Sequence, residues 1–266
     1  MPDQTTPQPP EEPILFERIA RHIARVTLNR PQARNAINVA MTLRLEEIVR
    51  SIEADPELRV AILAAAPGPA FCAGADLAEV AAGRGPSLMT RDGGFAGFVY
   101  AVRHKPWIAA VHGFAMGGGL EFALACDMVV AARDAVFGLP EPKRGLLAAA
   151  GGAYRLPRAI PRAIALEMLT TGATIDAQRA HELGLVNRVV ELAALPEAAL
   201  ALAAQVAANA PLSVRESLAI GRAAAEWDEA ALRRFSAEAT ARVMASDDAR
   251  EGPRAFVEKR PPVWRS

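Results

Sequence analysis

The sequence predicts an α/β fold in which helices cover a mostly parallel sheet. Short apolar strand candidates alternate with helical segments from residue 14 to about residue 140. One of them, RVAILAAA, is apolar almost throughout, which is typical of a strand covered on both faces of its sheet. Of the 266 residues, 52% are hydrophobic and 23% are charged, so the chain can fill a large core.

The elements of the first half follow from periodicity and from turn residues. Residues 14–31 predict two strands around a turn at residues 19–21, and residues 38–56 have the apolar spacing of a helix that ends at an Asp-Pro pair. Strands are predicted at RVAILAAA, WIAAV and DMVVAARDAVFG, with a helix at GGGLEFALA. Glycines and a proline interrupt residues 81–94, so we expect a mobile loop there.

The last third of the chain differs in composition from the part before it. Residues 161–183, 196–226 and 228–259 are rich in Ala, Leu, Glu and Arg, and their periodicity predicts helices. We therefore expect a disordered tail over 1–13, a core that carries the active site over 14–195, and a helical region over 196–266.

The composition of the chain limits the classes of function and partner that we expect. The formal net charge is zero, so no basic surface indicates a nucleic-acid or anionic-membrane partner. The acidic, proline-rich start lacks the features of a signal peptide, and no apolar run is long enough to span a membrane. We expect a cytoplasmic protein. Cys72 and Cys126 fit reduced core thiols, with a disulfide or a nucleophile as the less favoured alternatives.

Several motifs are absent. The chain has no phosphate-binding G-x-x-x-x-G-K-[ST] loop and no G-x-S-x-G nucleophile elbow. HELGL lacks the second histidine of a zinc helix, and the four histidines are scattered. We expect no metal.

Two glycine-containing loops each end a strand candidate and open a helix: PAFCAGADLAEV and HGFAMGGGLEFALA. Free N–H groups at two such helix starts can converge into a hole for an oxyanion. The alternative is two ordinary tight turns.

Two acids accompany these loops. Glu121 lies in the first turn of the second helix, where the helix dipole favours a carboxylate, and Glu141 lies between two prolines after an apolar strand. A capping role for Glu121 and a solvated surface position for Glu141 are the alternatives. Together, beside a polarised carbonyl, the pair suits acid–base chemistry.

FCAGADL, AAVHGFAMGGGLEFALACD and FGLPEPKRGLLAAAGGAYRLPR closely resemble the crotonase superfamily, the enoyl-CoA hydratase/isomerase proteins. The similarity runs from about residue 14 to the C-terminal AFVEKRPPVW. The resemblance implies a crotonase core of repeated ββα units and a helical C-terminal region that forms trimers, or dimers of trimers. It also implies an acyl-CoA thioester as substrate and no cofactor besides the coenzyme A of that substrate.

The resemblance also implies roles for individual residues. Ala75 and Gly118 match the two oxyanion donors, and Glu121 and Glu141 match the two catalytic acids. The remaining matches concern binding of the coenzyme A moiety: Ala33, Arg34, Ala36, Ala73, Gly74, Asp76, Leu77, Gly117, and Phe256 and Lys259 from a neighbouring subunit.

We therefore expect reversible syn hydration of a 2-enoyl-CoA. In this scheme Glu121, kept ionised by the helix dipole, activates water, and Glu141, with a raised pKa, protonates the α-carbon. Isomerase, decarboxylase and carnitinyl-CoA dehydratase activities are alternatives on the same scaffold. A non-catalytic protein that acts through oligomerisation or RNA binding is a more distant one.

Overall fold

The computed structural model describes residues 12–265. Residues 1–11 of the predicted tail lie outside the described residues. Glu12 and Pro13, the last two residues assigned to that tail, each accept a hydrogen bond through the backbone carbonyl from Asn29.

Strands and helices alternate along most of the described chain. The strands are β1 (Ile14–Ala20), β2 (Ile23–Leu28), β3 (Val60–Ala65), β4 (Ala70–Cys72), β5 (Met89–Thr90), β6 (Gly94–Phe95), β7 (Trp107–Val111), β8 (Phe114–Met116), β9 (Met128–Ala132), β10 (Val136–Gly138), β11 (Thr174–Asp176) and β12 (Arg188–Val190). The helices are α1 (Val39–Ala54), α2 (Leu77–Ala81), α3 (Gly118–Ala125), α4 (Gly152–Ala159), α5 (Arg162–Thr171), α6 (Ala177–Glu182), α7 (Leu195–Ala207), α8 (Pro211–Ala223), α9 (Glu229–Met244) and α10 (Asp248–Glu258).

Two sheets form the framework. The larger one has the strand order β1-β2-β3-β7-β9-β12, and only its β1–β2 pair is antiparallel. The smaller one has the order β11-β10-β8-β4, in which β4, β8 and β10 run parallel. This arrangement, with helices packed around it, confirms the predicted α/β class.

Both faces of the larger sheet are buried at its central strands. On one face, side chains such as Leu63, Ala109 and Val111 belong to the main apolar cluster with α1 and α3. On the other face, Ile62 and Ile108 belong to a second cluster that includes four residues of α7: Leu195, Ala199, Ala203 and Ala207. The segment RVAILAAA is therefore apolar because β3 is covered on both faces of its sheet, as predicted. The division after residue 195 stays a prediction, although α7 packs directly on the core sheet.

Two segments differ from their predictions. Residues 161–183 were expected to be one helical segment, but Gly172 adopts a left-handed conformation (φ 65°) that ends α5, and β11 follows. The expected loop at residues 81–94 contains a 3-10 helix over Gly85–Leu88 and the start of a small β5–β6 hairpin.

Within residues 12–265, no single helix has both the length and the apolar composition of a membrane span. Leu192–Ala207 and Pro211–Ala223 meet that criterion only when combined, and a bend of 106° separates them.

Trp107 fills the centre of the core and gives a test of the packing. The side chain is fully buried, and its ring meets that of Phe98 edge-on at 5.1 Å between centroids. Trp107→Ala should lower the free energy of unfolding by about 3–5 kcal/mol, because it leaves a large cavity. Urea unfolding followed by circular dichroism would measure this. Val102 is 77% exposed, so Val102→Ala should change stability by less than about 0.5 kcal/mol. Equal losses in the two variants would contradict this packing.

Candidate active site

A cavity of about 830 Å³ lies where the two predicted glycine loops meet. Both loops follow parallel strands of the smaller sheet, since PAFCAGADL follows β4 and GFAMGGG continues from β8 into α3. The cavity wall consists of Arg34, Ala36, Ala70, Ala73, Gly74, Ala75, Leu77, Val80, Met89, Phe95, Phe114, Met116, Gly117, Gly118, Glu121, Pro140, Glu141, Arg144, Leu146, Leu147, Ala149 and Ala150. All four predicted catalytic residues are therefore in one place.

The first loop is held by the segment that precedes α1. Ile37 donates a backbone hydrogen bond to the Gly74 carbonyl at 2.8 Å, and Asp76 donates one to the Ile37 carbonyl at 2.9 Å. These bonds lie on either side of Ala75 and engage its neighbours. No hydrogen bond between described residues uses the Ala75 N–H, which remains available to a ligand in the cavity.

The second loop requires glycine at its turn. Gly117 has φ 55° and ψ −122°, a conformation that residues with a side chain rarely adopt. Gly118 then begins α3, and as its first residue it has no intrahelical acceptor for its N–H. Within residues 12–265, no other group accepts a hydrogen bond from it.

The two loops lie in backbone contact. A Cβ atom added to Gly74 would lie 3.0 Å from the Gly118 nitrogen, and one added to Gly118 would lie 3.2 Å from the Gly74 Cα. Two unused N–H groups thus belong to neighbouring loops on one cavity wall. This geometry is what an oxyanion hole requires.

Glu121 is 3% exposed, although α3 is otherwise apolar. Its Oε1 accepts a hydrogen bond from the Gly152 N–H at 2.9 Å. Burial raises the pKa of this carboxyl to about 7, against the opposing effect of that hydrogen bond. Loss of hydration thus opposes the helix dipole that was expected to keep Glu121 ionised, and the role of Glu121 as the ionised, water-activating acid stays a prediction.

Glu141 begins a 3-10 helix over Glu141–Arg144 and reaches back to the second loop. A Cβ atom on Gly117 would lie 2.9 Å from its Oε1, so the carboxyl lies against the loop backbone. Its Oε2 is buried and has no hydrogen-bond partner among the described residues. Burial raises its pKa, as the sequence analysis expected, and its charge in turn raises the pKa of Glu121.

Most of the predicted coenzyme A positions line the same cavity, namely Arg34, Ala36, Ala73, Gly74, Leu77 and Gly117. Ala33 and Asp76 do not. Asp76 instead pairs with Arg30 at 2.6 Å and accepts the N–H of Ala78 as the N-cap of α2. Arg30 lowers the pKa of Asp76, which keeps the ion pair charged. Asp76 is thus a structural support of the first loop.

Phe256 and Lys259 lie at the end of α10, away from this cavity of the same chain. The Phe256 side chain is 85% exposed. Their predicted contact with the site of a neighbouring subunit stays a prediction.

Two parts of the site were not predicted from the sequence. One is the apolar wall formed by Met89, Phe95 and the exposed pair Leu146 and Leu147. The other is Gly152, whose only signal was a Gly-Gly pair in AAAGGAYR just before a helix.

Both thiols are free, and burial raises the pKa of Cys72 and of Cys126 to about 12, which disfavours a nucleophilic role. Residues 12–265 contain no cluster of three side chains suited to a metal ion.

The burial of Glu121 predicts a dependence of stability on pH. At about pH 4.5 and below, this carboxyl is protonated in the folded and the unfolded chain. Its pKa is about 7 in the folded chain, and its ordinary value is 4.5. Raising the pH through this range should therefore lower the free energy of unfolding by up to about 3 kcal/mol.

A glutamine at position 121 cannot ionise. The free energy of unfolding of Glu121→Gln, measured with urea, should therefore rise relative to that of the wild-type chain by that amount between pH 4.5 and about pH 8. Glu191→Gln, at an exposed ion pair with Arg133, should follow the wild type. A difference between wild type and Glu121→Gln that stays constant with pH would contradict the raised pKa.

Comparison with known proteins agrees with this site. The family model described as enoyl-CoA hydratase/isomerase matches residues 18–266. A carnitinyl-CoA dehydratase of Citrobacter koseri is 43% identical over 248 residues, 91% of this chain and 95% of the relative. The crystal structure of an enoyl-CoA hydratase from Mycobacterium tuberculosis H37Rv superposes with a TM-score of 0.91 at 43% identity, covering 96% of this chain and 99% of that one. A carnitinyl-CoA hydratase from Mycobacterium avium superposes with a TM-score of 0.74 at 42% identity, covering 96% and 98%. The chain belongs to the enoyl-CoA hydratase/isomerase family and has its crotonase fold.

Proposed function

We propose that the protein is an enoyl-CoA hydratase, a hydro-lyase that adds water reversibly and syn to a 2-enoyl-CoA to form a 3-hydroxyacyl-CoA. One observation carries the proposal: two carboxyls with raised pKa values and two unused backbone N–H groups line one cavity. Membership of the enoyl-CoA hydratase/isomerase family supports it.

Ala75 and Gly118 would bind the thioester oxygen through their N–H groups. These two bonds withdraw electrons from the conjugated double bond, so the β-carbon becomes electrophilic, and they stabilise the enolate that forms on addition. One such donor contributes about 2.7–4 kcal/mol in a transition state. The donors need no reorganisation, since they are fixed by the loops before the substrate arrives.

The two glutamic acids would move the protons. Burial raises both pKa values, and the charge of Glu141 raises that of Glu121 further, which supports a pair that enters the reaction with one proton. The ionised member takes a proton from water as the oxygen adds to the β-carbon, and the protonated member delivers its proton to the α-carbon. The net addition is one water, with one proton left on the pair.

The coenzyme A moiety would lie along the segment that holds the first loop. Arg34, Ala36, Ala73, Gly74 and Leu77 line this part of the cavity. The N–H and carbonyl groups of such loops suit an adenine and a pantetheine amide. Coenzyme A enters as part of the substrate, and we propose no further cofactor or metal.

We further propose that subunits associate through the helical region, as trimers or dimers of trimers. Large exposed apolar side chains support this, including Trp227, Met244, Phe256, Val257 and Val263. In such an assembly Phe256 and Lys259 would complete a neighbour's coenzyme A site. A cytoplasmic location remains a prediction, as do the absence of nucleic-acid and membrane partners and the division into tail, core and helical region.

Carnitinyl-CoA dehydratase activity is the second candidate. It is supported by the 43% identity to the Citrobacter koseri enzyme, which equals the identity to the mycobacterial hydratase. It would use the same oxyanion donors and acids on an acyl chain that carries a trimethylammonium group. Comparison of kcat/KM for crotonyl-CoA with that for the corresponding trimethylammonium enoyl-CoA separates the two candidates.

The acid pair gives the main test. Glu121→Gln and Glu141→Gln should each lower the hydration rate of crotonyl-CoA by roughly 10²–10⁴-fold, because each removes one proton-transfer group. Loss of absorbance of the conjugated thioester measures the rate.

Glu191→Gln is the matched control, since it changes an exposed glutamate far along the chain from the cavity residues. Near-normal hydration by Glu121→Gln would point to an isomerase that uses one acid. No turnover of any enoyl-CoA by the wild-type chain would favour a non-catalytic role.

A further inference from the structure

A cluster of Tyr100, Tyr154 and Arg155 lies behind the turn that binds Glu121, and the proposed reaction gives it no part. The turn is formed by Gly151 and Gly152, directly before and at the start of α4. Its function depends on position, since the Gly152 N–H must reach the Glu121 Oε1.

Arg155 holds this turn from α4. Its Nη2 donates to the Val99 carbonyl at 2.7 Å, while its backbone N–H makes the first hydrogen bond of α4, to the Gly151 carbonyl at 2.8 Å. The guanidinium carbon lies 5.6 Å from the ring centroid of Tyr100 and 5.7 Å from that of Tyr154. The Nη1 is buried with no partner among the described residues and packs on Gly151, where an added Cβ would lie 2.8 Å away.

Tyr100 holds the other end of the same segment. Its hydroxyl donates to the Ala149 carbonyl at 2.8 Å. Burial raises the pKa of Tyr100 to about 12, so the hydroxyl stays protonated and neutral. Residues 149–152 are therefore held at Ala149 by the Tyr100 hydroxyl and packed at Gly151 by the Arg155 guanidinium.

The charges around Glu121 give Arg155 a second effect. Glu141, at the start of its 3-10 helix, favours the neutral form of Glu121, and Arg155, on α4, favours the carboxylate. Tyr100 interacts electrostatically with Glu121, but with a pKa of about 12 its hydroxyl carries no charge near neutral pH. A cation on a fixed side chain thus opposes both burial and the second acid.

We propose that Arg155, supported by Tyr100, is a positioning residue that holds the Gly151–Gly152 turn against Glu121 and favours the carboxylate form of Glu121. This inference rests on the proposed hydration chemistry for its effect on rate. Its effect on Glu121 itself does not depend on that chemistry.

The kinetic test compares Arg155→Gln with Arg158→Gln. Arg158 lies on the same helix, contacts Tyr154, and pairs at the surface with Glu226 at 3.2 Å. Where Glu121 activates water, as the sequence predicts, Arg155→Gln should move the acid limb of the kcat/KM profile to higher pH by up to about one unit, so activity below pH 6 falls by up to about tenfold and recovers at alkaline pH. Arg155→Lys should restore part of this shift, and KM should change little. A profile for Arg155→Gln that coincides with that of Arg158→Gln would overturn the proposal.

A second measurement tests the inference independently of the proposed function. Titration of the Glu121 carboxyl carbon by NMR, assigned by its loss in Glu121→Gln, should give a higher midpoint in Arg155→Gln than in the wild type. This holds even if the chain hydrates no enoyl-CoA. If Arg155→Gln does not fold, Tyr100→Phe removes the hydroxyl that bonds Ala149 and Tyr154 and should shift the same midpoint in the same direction by a smaller amount. An unchanged midpoint in the variants that fold would overturn the proposal.

Discussion

The backbones of Gly74 and Gly118 lie so close that a Cβ on either would come within 3.0–3.2 Å of the other loop's backbone. Parallel strands of one sheet bring the two loops to the same edge, and glycine lets them approach to backbone contact. The unused N–H groups of Ala75 and Gly118 then line one cavity. The position of Glu121 follows from the same contact, because α3 begins at Gly118 and carries the carboxyl one turn later.

Burial of the acid pair sets the electrostatics of the cavity. Burial raises the pKa of Glu121 to about 7, while the Gly152 N–H and the Arg155 charge oppose that rise. Glu141 is half-buried and lies against the second loop. Such a balance is typical of a site that must hold a proton near neutral pH.

Much of this could be predicted from the sequence, because the relevant signals are local. Apolar periodicity located α1 and the buried strand β3, and the glycine loops with Glu121 and Glu141 located the cavity. Other features depend on contacts between distant segments. Asp76 pairs with Arg30, and the helix dipole at Glu121 is opposed by burial that several elements impose together. Gly152 reaches Glu121 from 31 residues away in the chain, and no pattern within either segment indicates that bond.

The central claim is that the two backbone N–H groups bind the oxygen of a thioester. A crystal structure of the protein with a non-reactive acyl-CoA analogue tests it most directly. The account predicts the thioester oxygen at about 3 Å from both the Ala75 and the Gly118 nitrogen, with Glu121 and Glu141 on either side of the α- and β-carbons. A thioester oxygen bound elsewhere, or amides of Ala75 and Gly118 bonded to other groups of the protein, would contradict it.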